Sequence, residues 1–506
     1  MAFAFILLTA CGKSIDKNSF EGRVASVISD FQGVNMALSM DLKSIIQKSG
    51  IRDGAIPKQQ LATIKPYLDA LSKSINMEKQ VFMLPLLNYN GQTEPGGVVL
   101  FDVKDVKRMK KEFKEMGINL SKKGELEYGT RETMVAGIFK NQTGFIVMTN
   151  DTKDSEKMLT SFSKSLDAGK TVDGVVDFVN MKADMTFYVT GDKPQNIADS
   201  GMPEIDKLSK KMAEISKGTY WMGEMNFNNQ EAVMTFDVTY GDNMEQYMPL
   251  VNDEISAEAK AVVADPNTIG AYAMSMKFDK FIDMIVSNLD EKTKEEVNKS
   301  LSMVGGLEQF KRMLTGEMAV AVTKADSTVQ ANAFIGIGDK KQVKTLIDGF
   351  GFFLGLEKSG DGYKMQENYL QFTDKGLLFA MSKEHLKKMK AGKIAKTRSL
   401  GDFKFGEAPF SMFMDIRMMS KMIGMEDFTE SFKDFDYMTY EMTANSGKMV
   451  IKSTKANQNI LRTLVEGFEE MQLRELKRQE EEQRAFEEMW GDEASIDEPT
   501  VEDYNF

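Results

Sequence analysis

The feature that most constrains this fold is an internal recurrence. Residues 36–50 have the pattern of a short strand that ends at Met40, an acidic residue at Asp41, and an amphipathic helix that ends at Gly50. The same order returns at Ile269, and later segments match their counterparts roughly 235 residues further along the chain. Recurrence at a nearly constant offset predicts a tandem duplication of two similar copies.

Each copy combines two kinds of pattern. Amphipathic helical stretches, such as residues 104–116, alternate with adjacent strand pairs, such as residues 132–139 and 144–149. This interleaving favours an α+β fold with mostly antiparallel sheets and with helices on one face. A charged carboxyl-terminal helix and an acidic tail complete the predicted architecture, in which the two copies pack side by side.

The domain boundaries follow from the recurrence and from shifts in composition. We expect the first copy at residues 25–255, the second at 256–456, the charged helix at 457–490 and a disordered acidic tail at 491–506. Blocks of opposite charge within the helix favour a solvated surface with paired charges, and a partner-docking arm is the alternative.

Net charge argues against one class of partner. The chain carries −12, but residues 466–506 alone hold 15 acidic and 4 basic side chains. The body is therefore close to neutral, without the clustered Lys and Arg that nucleic-acid binding needs. The sequence predicts no nucleic-acid partner.

The amino terminus has the pattern of a targeting signal. An apolar run at residues 2–8 leads into Leu8, Thr9, Ala10 and Cys11, which resemble the lipobox of bacterial lipoproteins. In that family the cysteine is lipidated after cleavage, so residues 1–11 are expected to be a signal peptide and 12–24 a tether. Gly12 stands where an inner-membrane retention signal would place Asp, which favours the outer membrane. A buried strand with an incidental cysteine is the alternative.

The inventory of reactive residues favours a protein without catalytic residues or cofactors. Cys11 is used by the anchor, and His385 is the single histidine. A Ser-His-acid triad around His385 has no supporting Gly-x-Ser-x-Gly motif, so we expect a surface histidine. A conventional zinc site needs several His or Cys ligands. A hydrolase that uses carboxylates alone is a further alternative.

Methionine is unusually frequent, with 39 residues. One stretch holds six of them: Met412, Met414, Met418, Met419, Met422 and Met425. Thioethers are soft ligands that suit Cu(I). The spacing of Met418, Met422 and Met425 also fits one face of a helix, and Met fills irregular gaps in cores well. Core packing is the favoured interpretation and a metal site is the alternative.

Four acidic residues stand where a predicted strand gives way to a helix: Asp41, Asp192, Asp279 and Asp415. A carboxylate at this position can accept hydrogen bonds from free amides and interact favourably with the helix dipole. Their recurrence predicts helix caps rather than a shared catalytic role.

The strand–acid–helix unit after a lipobox leader resembles an uncharacterised lipoprotein family of Bacteroidetes, known as domain of unknown function 4836. The resemblance rests on residues 34–50 and 97–103 with the helix that follows, and on residues 269–289 and 333–353. It implies an envelope lipoprotein and supplies no activity. We expect a lipid-anchored, non-enzymatic binding or interaction scaffold with a possible envelope protein partner. The alternative is a small-molecule or Cu(I) binder that uses a cleft between the copies.

Overall fold

The computed structural model describes residues 15–86, 96–148, 152–172, 174–191, 203–252, 254–325, 328–392, 400–423 and 432–490. The predicted signal peptide with Cys11, the acidic tail, Asp192 and Met425 lie outside the described residues. Among the described residues, no helix combines the length and the apolarity that crossing a bilayer requires.

The described α-helices are α1 (Phe20–Asp30), α2 (Leu42–Ser49), α3 (Lys58–Ser74), α4 (Val106–Glu115), α5 (Thr152–Asp167), α6 (Val175–Asn180), α7 (Pro203–Ile215), α8 (Asp242–Glu245), α9 (Ala257–Lys260), α10 (Phe278–Ser287), α11 (Glu291–Ser300), α12 (Leu307–Met313), α13 (Lys340–Phe350), α14 (Lys383–Lys390), α15 (Ile416–Ile423) and α16 (Ile460–Trp490).

The strands of the amino-terminal half-sheet are β1 (Met36–Met40), β2 (Val81–Leu86), β3 (Gly96–Asp102), β4 (Ser121–Lys123), β5 (Leu126–Arg131), β6 (Met134–Phe139), β7 (Thr143–Met148), β8 (Met185–Thr190), β9 (Tyr220–Phe227) and β10 (Glu231–Thr239).

The strands of the carboxyl-terminal half-sheet are β11 (Thr268–Ser275), β12 (Leu314–Ala325), β13 (Thr328–Ile337), β14 (Glu357–Ser359), β15 (Gly362–Met365), β16 (Asn368–Phe372), β17 (Gly376–Ala380), β18 (Phe410–Asp415), β19 (Phe435–Met442) and β20 (Ser446–Ser453).

The two half-sheets join into one antiparallel sheet, so the predicted α+β class with antiparallel strands is confirmed. From the seam outward, the amino-terminal half-sheet runs β10-β9-β8-β1-β2-β3-β7-β6-β5-β4. The carboxyl-terminal half-sheet runs β20-β19-β18-β11-β12-β13-β17-β16-β15-β14, which is the same order with ten added to each strand number. At the seam, β10 pairs with β20, with Glu231 opposite Lys452.

Helices cover both faces of the amino-terminal half-sheet, so the prediction of helices on one face is wrong. On one face, Phe82 of β2 belongs to a core with Val24 of α1 and Phe162 of α5. On the other, Val81 packs against a cluster that contains Phe113 of α4. Consecutive strand residues point to opposite faces, and both kinds of position on β2 are apolar, so each face requires a cover.

The predicted tether at residues 12–24 is wrong in its last part. Helix α1 begins at Phe20, and Ser19 caps it by accepting a hydrogen bond from the Gly22 amide at 3.0 Å. Phe20 and Val24 are buried in the core. Their four-residue spacing places both side chains on one helical face, which is the signal that the tether interpretation overlooked.

Two of the predicted caps are confirmed and one is wrong. Asp41 accepts a hydrogen bond from the Ser44 amide at 2.9 Å, and Asp415 accepts one from the Met418 amide at 2.8 Å. Asp279 lies inside the first turn of α10, which begins at Phe278, two residues earlier than a cap at Asp279 requires, so that Lys277 takes the cap position. Gly50 ends α2 in the left-handed conformation, with φ of 66°.

Candidate functional site

The two faces of the central sheet differ in burial. On β1, Ala37 and Ser39 are buried on one face, whereas Met36, Leu38 and Met40 are half-buried on the other. The same alternation occurs on β8, β18 and most of β19. We call the side that carries the half-buried apolar residues the methionine-rich face.

Strand register aligns one row of apolar side chains across eleven consecutive strands of this face. Neighbours in such a row have Cβ atoms about 4.5–5.5 Å apart. The first five members are methionines, so we call it the methionine row. From β1 to β17 it contains Met40, Met185, Met225, Met234, Met449, Tyr440, Met412, Tyr272, Val320, Ala333 and Phe379.

A second row lies beside the methionine row, two residues away from it on each of the same strands. We call it the phenylalanine row. It contains Leu38, Phe187, Gly223, Phe236, Gly447, Met442, Phe410, Met274, Met318, Ile335 and Leu377. Neither row includes a charged residue. Soluble proteins rarely leave a continuous apolar surface of this extent uncovered, so it packs against the chain's own helices or binds something.

Aromatic rings connect the phenylalanine row across the seam. Trp221 stacks on Phe236 with ring centroids 5.9 Å apart and planes 4° apart. Tyr440 lies 6.4 Å from Phe236, and Phe410 packs edge-on against Tyr440 at 5.3 Å. Trp221 remains 45% exposed. The rings therefore form a platform with one accessible end.

The two tyrosines of the methionine row have their hydroxyl groups satisfied by sulfur. The Tyr272 hydroxyl donates to Sδ of Met274 at 2.9 Å, and the Tyr440 hydroxyl donates to Sδ of Met442 at 3.4 Å. Burial raises the pKa of Tyr272 and of Tyr440. The phenols therefore stay neutral near pH 7 and add no charge to this face.

One part of the methionine-rich face is covered by the chain's own last helix. Ile460, Leu461 and Leu464 of α16 belong to a cluster with Met185 and Met225 of the methionine row. Towards the other edge, Ile335 is 44% exposed and Val329 is 43% exposed. The face thus holds an apolar segment at one end and presents apolar side chains to solvent at the other.

A cleft of about 460 Å³ lies beside the start of β11 and the ends of β12 and β18. Its lining residues are Pro266, Asn267, Thr268, Ile269, Lys324, Asp415 and Met418. Lys324 is exposed and follows Val322 on the methionine-rich side of β12. Within the described residues, no acidic side chain forms an ion pair with Lys324. The Asp415 carboxylate is already engaged as the cap of α15.

The prediction of a surface histidine is wrong. His385 is buried, with Nδ1 2.9 Å from Oγ of Ser382 and Nε2 3.0 Å from Oδ2 of Asp265. The Nε2 contact lacks hydrogen-bond alignment. The Asp265 carboxylate also accepts from Nζ of Lys388 at 2.7 Å. Burial acts to raise the pKa of Asp265, but the bonds from Lys388 and the Asn267 amide outweigh it and lower that pKa.

A serine, the histidine and an acid therefore do come together, which sequence spacing alone did not show. Ser382 caps α14 by accepting from the His385 amide at 3.2 Å, so its oxygen already serves the helix. Asp265 is held by Lys388 of the same helix. Neither Ser382 nor His385 lines the nearby cleft. The arrangement suits the attachment of α14 to the loop before β11.

The six methionines of the predicted metal site are divided between elements. Met412 and Met414 are two residues apart on β18, so both lie on the methionine-rich face, and Met414 lies opposite Met438. Met418 and Met419 lie on α15. The Met422 side chain and all of Met425 lie outside the described residues. Where the chain is described, no group of three or more His, Cys, Asp and Glu side chains could hold a metal ion.

A second polar cluster, around Asp184, is also structural. Its carboxylate accepts from Nζ of Lys48 at 2.6 and 2.7 Å, from Oγ of Ser44 at 2.5 Å and from the Phe227 amide at 2.6 Å. Asp184 is 4% exposed. It ties α2 to β9, and its accepting capacity is largely used.

The sequence matches no family model and no curated protein. Solved structures that it resembles are crystal forms of TP0453. Crystal form IV has 10% identity, covers 45% of this chain and 85% of that chain, and gives a TM-score of 0.27. Form I has 9% identity, covers 76% and 100%, and gives 0.20. TM-scores this low carry no argument about function.

Proposed function

We propose that this protein is a lipid-anchored bacterial envelope protein that acts as a non-enzymatic binding scaffold, with the methionine-rich face as its binding surface. The observation that carries the proposal is the pair of aligned rows, which extend across eleven strands without a charged residue. Unbranched Met side chains adapt to partners of different shape, which suits such a surface.

The anchor in this proposal is Cys11, at the end of the apolar run, with the outer membrane as the favoured location. The common strand order of the two half-sheets supports a tandem duplication, together with the sequence recurrence. A duplicated sheet joined at a seam would present one continuous surface to a ligand or an envelope protein partner. Metabolic labelling with a clickable fatty acid tests the anchor. We expect the wild-type protein to be labelled and Cys11→Ser to lose the label. Labelling that persists in Cys11→Ser contradicts the anchor.

The binding surface is tested with a neutral apolar dye, N-phenyl-1-naphthylamine, whose fluorescence rises when it leaves water. We expect saturable binding to the Cys11→Ser chain, weakened about tenfold or more by Ile335→Glu, because an unpaired charge opposes apolar contact. Ile335 is already 44% exposed, so the fold should tolerate the change.

Tyr67→Glu is the matched control, because Tyr67 is a 74% exposed residue on α3 and belongs to neither row. It should leave dye binding unchanged. Dye binding that does not saturate, or that falls equally in both variants, contradicts the proposed surface.

A second candidate function is Cu(I) binding, favoured by one specific observation. In the methionine row, Met185, Met225, Met234 and Met449 lie directly opposite one another in consecutive strands. Thioether ligands select Cu(I). Of the six methionines predicted from sequence, only Met412 belongs to this row.

A further inference from the structure

We infer that the methionine-rich face binds a single-chain anionic amphiphile, with its acyl chain along β12 and its anionic head at Lys324. This inference rests on the proposed function and adds the chemical class of the ligand. It needs three features of the structure: an apolar path, a cation at the end of that path, and sufficient length.

The path lacks the groups that a peptide ligand would need. A bound peptide must pair its backbone amides and carbonyls, or lose their hydration without compensation. In the two rows, the side-chain polar groups are the phenols of Tyr272 and Tyr440, and both already donate to methionine sulfur. An acyl chain has no hydrogen-bonding requirement and therefore matches this surface better.

The cation lies where the apolar path ends. On β12, Met318, Val320 and Val322 are half-buried on the methionine-rich face, and Lys324 is the next residue on the same side. Across the strand pair, Lys324 lies opposite Val329, which is 43% exposed. The Lys324 side chain thus borders both the apolar face and the cleft.

Asp415 is the acidic residue in the cleft lining, and it does not cancel the attraction of Lys324 for an anion. It is 9% exposed and accepts a hydrogen bond from the Met418 amide at 2.8 Å, at the amino end of α15. The helix dipole offsets part of its charge there. The accessible charge in the cleft is the ammonium group of Lys324.

The length of the path fits one chain. Met318 and Lys324 are six residues apart on β12, which corresponds to about 20 Å of strand. A lipid acyl chain spans half of the hydrocarbon core of a bilayer, or about 15 Å. The path is therefore long enough for one chain with its head at Lys324, whose far end lies just beyond Val320, about 13 Å along β12, and approaches Met318 and Ile335.

A free fatty acid has this single-chain anionic chemistry, and the experiment separates it from a two-chain anionic membrane lipid. The Cys11→Ser chain is titrated with oleate and with oleyl alcohol, using dye displacement. In parallel, it is floated with phosphatidylcholine vesicles that contain or lack phosphatidylglycerol. The variants are Lys324→Ala, and Lys448→Ala as an exposed lysine on the opposite face of β20.

We expect Lys324→Ala to weaken binding of the anionic ligand about tenfold, as for loss of one charged hydrogen bond, and to leave oleyl alcohol unaffected. Lys448→Ala should change the affinity for neither ligand. Dependence on Lys324 with oleate supports a free fatty acid as the ligand. Dependence on Lys324 only with phosphatidylglycerol vesicles would indicate docking of a two-chain membrane lipid and would overturn the single-chain inference.

The inference is overturned if wild type and Lys324→Ala bind oleate equally well and also bind phosphatidylglycerol vesicles equally well. If Ile335→Glu weakens oleyl alcohol binding in that case, the proposed apolar surface survives. The proposed function itself is overturned if the wild-type protein binds none of the ligands tested, which are oleate, oleyl alcohol, the two vesicle types and the neutral dye. Circular dichroism of each variant verifies that its fold is retained, and Lys324→Gln replaces Lys324→Ala if needed.

Discussion

The ring of Phe236 on β10 lies over Gly447, its direct neighbour on β20, at the seam that joins the two half-sheets. A Cβ at position 447 would overlap this ring. The glycine therefore lets a large aromatic side chain lie flat across the pairing, as in the aromatic rescue of strand glycines.

Gly447→Ala should destabilise the protein by about 1–3 kcal/mol, because the added methyl group overpacks the seam. Gly97→Ala on β3 is the matched control, since its added Cβ would approach its nearest neighbour only at 3.8 Å. We expect the control to be neutral or slightly stabilising. Urea unfolding measures both; equal effects of the two substitutions would contradict the seam contact.

Asp184→Ala should cost about 2–3 kcal/mol, because it leaves the buried Phe227 amide unpaired and removes the carboxylate partner of Lys48, whose side chain is 30% exposed. Asp69→Ala is the control, since it removes an exposed pair with Arg52 and should cost about 0–1 kcal/mol. Thermal unfolding compares the two. A small loss for Asp184→Ala would show that the cluster does not fasten α2 to β9.

Tyr363 should make stability fall at alkaline pH. Burial, and then the hydrogen bond from its hydroxyl to Asp348 at 2.7 Å, raise the pKa of Tyr363 to about 12. An unfolded chain loses this proton near pH 10. The folded chain binds more protons in between, so the free energy of unfolding falls as pH rises from about 10 to about 12.

Tyr363→Phe should flatten that part of the profile, which urea unfolding at stepped pH can follow. Tyr67→Phe, at an exposed site, provides the comparison and should retain the slope of wild type. An unchanged slope in Tyr363→Phe would contradict the assignment.

The Cu(I) alternative predicts a titration that saturates at a fixed stoichiometry. Met225→Leu combined with Met234→Leu removes two adjacent thioethers with little change in volume and should abolish the saturable signal. Met116→Leu, at a 40% exposed position, should leave it intact. Competition against a chromophoric Cu(I) chelator measures it, and binding no greater than that of a methionine-poor protein would exclude this function.

Local pattern determined much of the architecture. Period-two alternation identified β1 and β18, and short-range chemistry identified the caps at Asp41 and Asp415, because both signals lie within a few adjacent residues. The same reasoning failed for helix coverage, since β2 is apolar on both sides and sequence order does not say which helix covers which face.

The candidate site was decided by tertiary structure. Alternation on β18 shows that Met412 and Met414 share a face, but it does not reveal that Met412 lies between Tyr440 and Tyr272. Likewise, His385 and Asp265 come from distant segments, and only their packing makes the histidine buried. Strand pairing partners and register depend on the whole sheet, and a shift by one residue would move every side chain to the opposite face. The sequence by itself therefore determined many of the strands, the caps at Asp41 and Asp415 and the abundance of methionine, and the register of the folded sheet arranged nine of those methionines into the two rows.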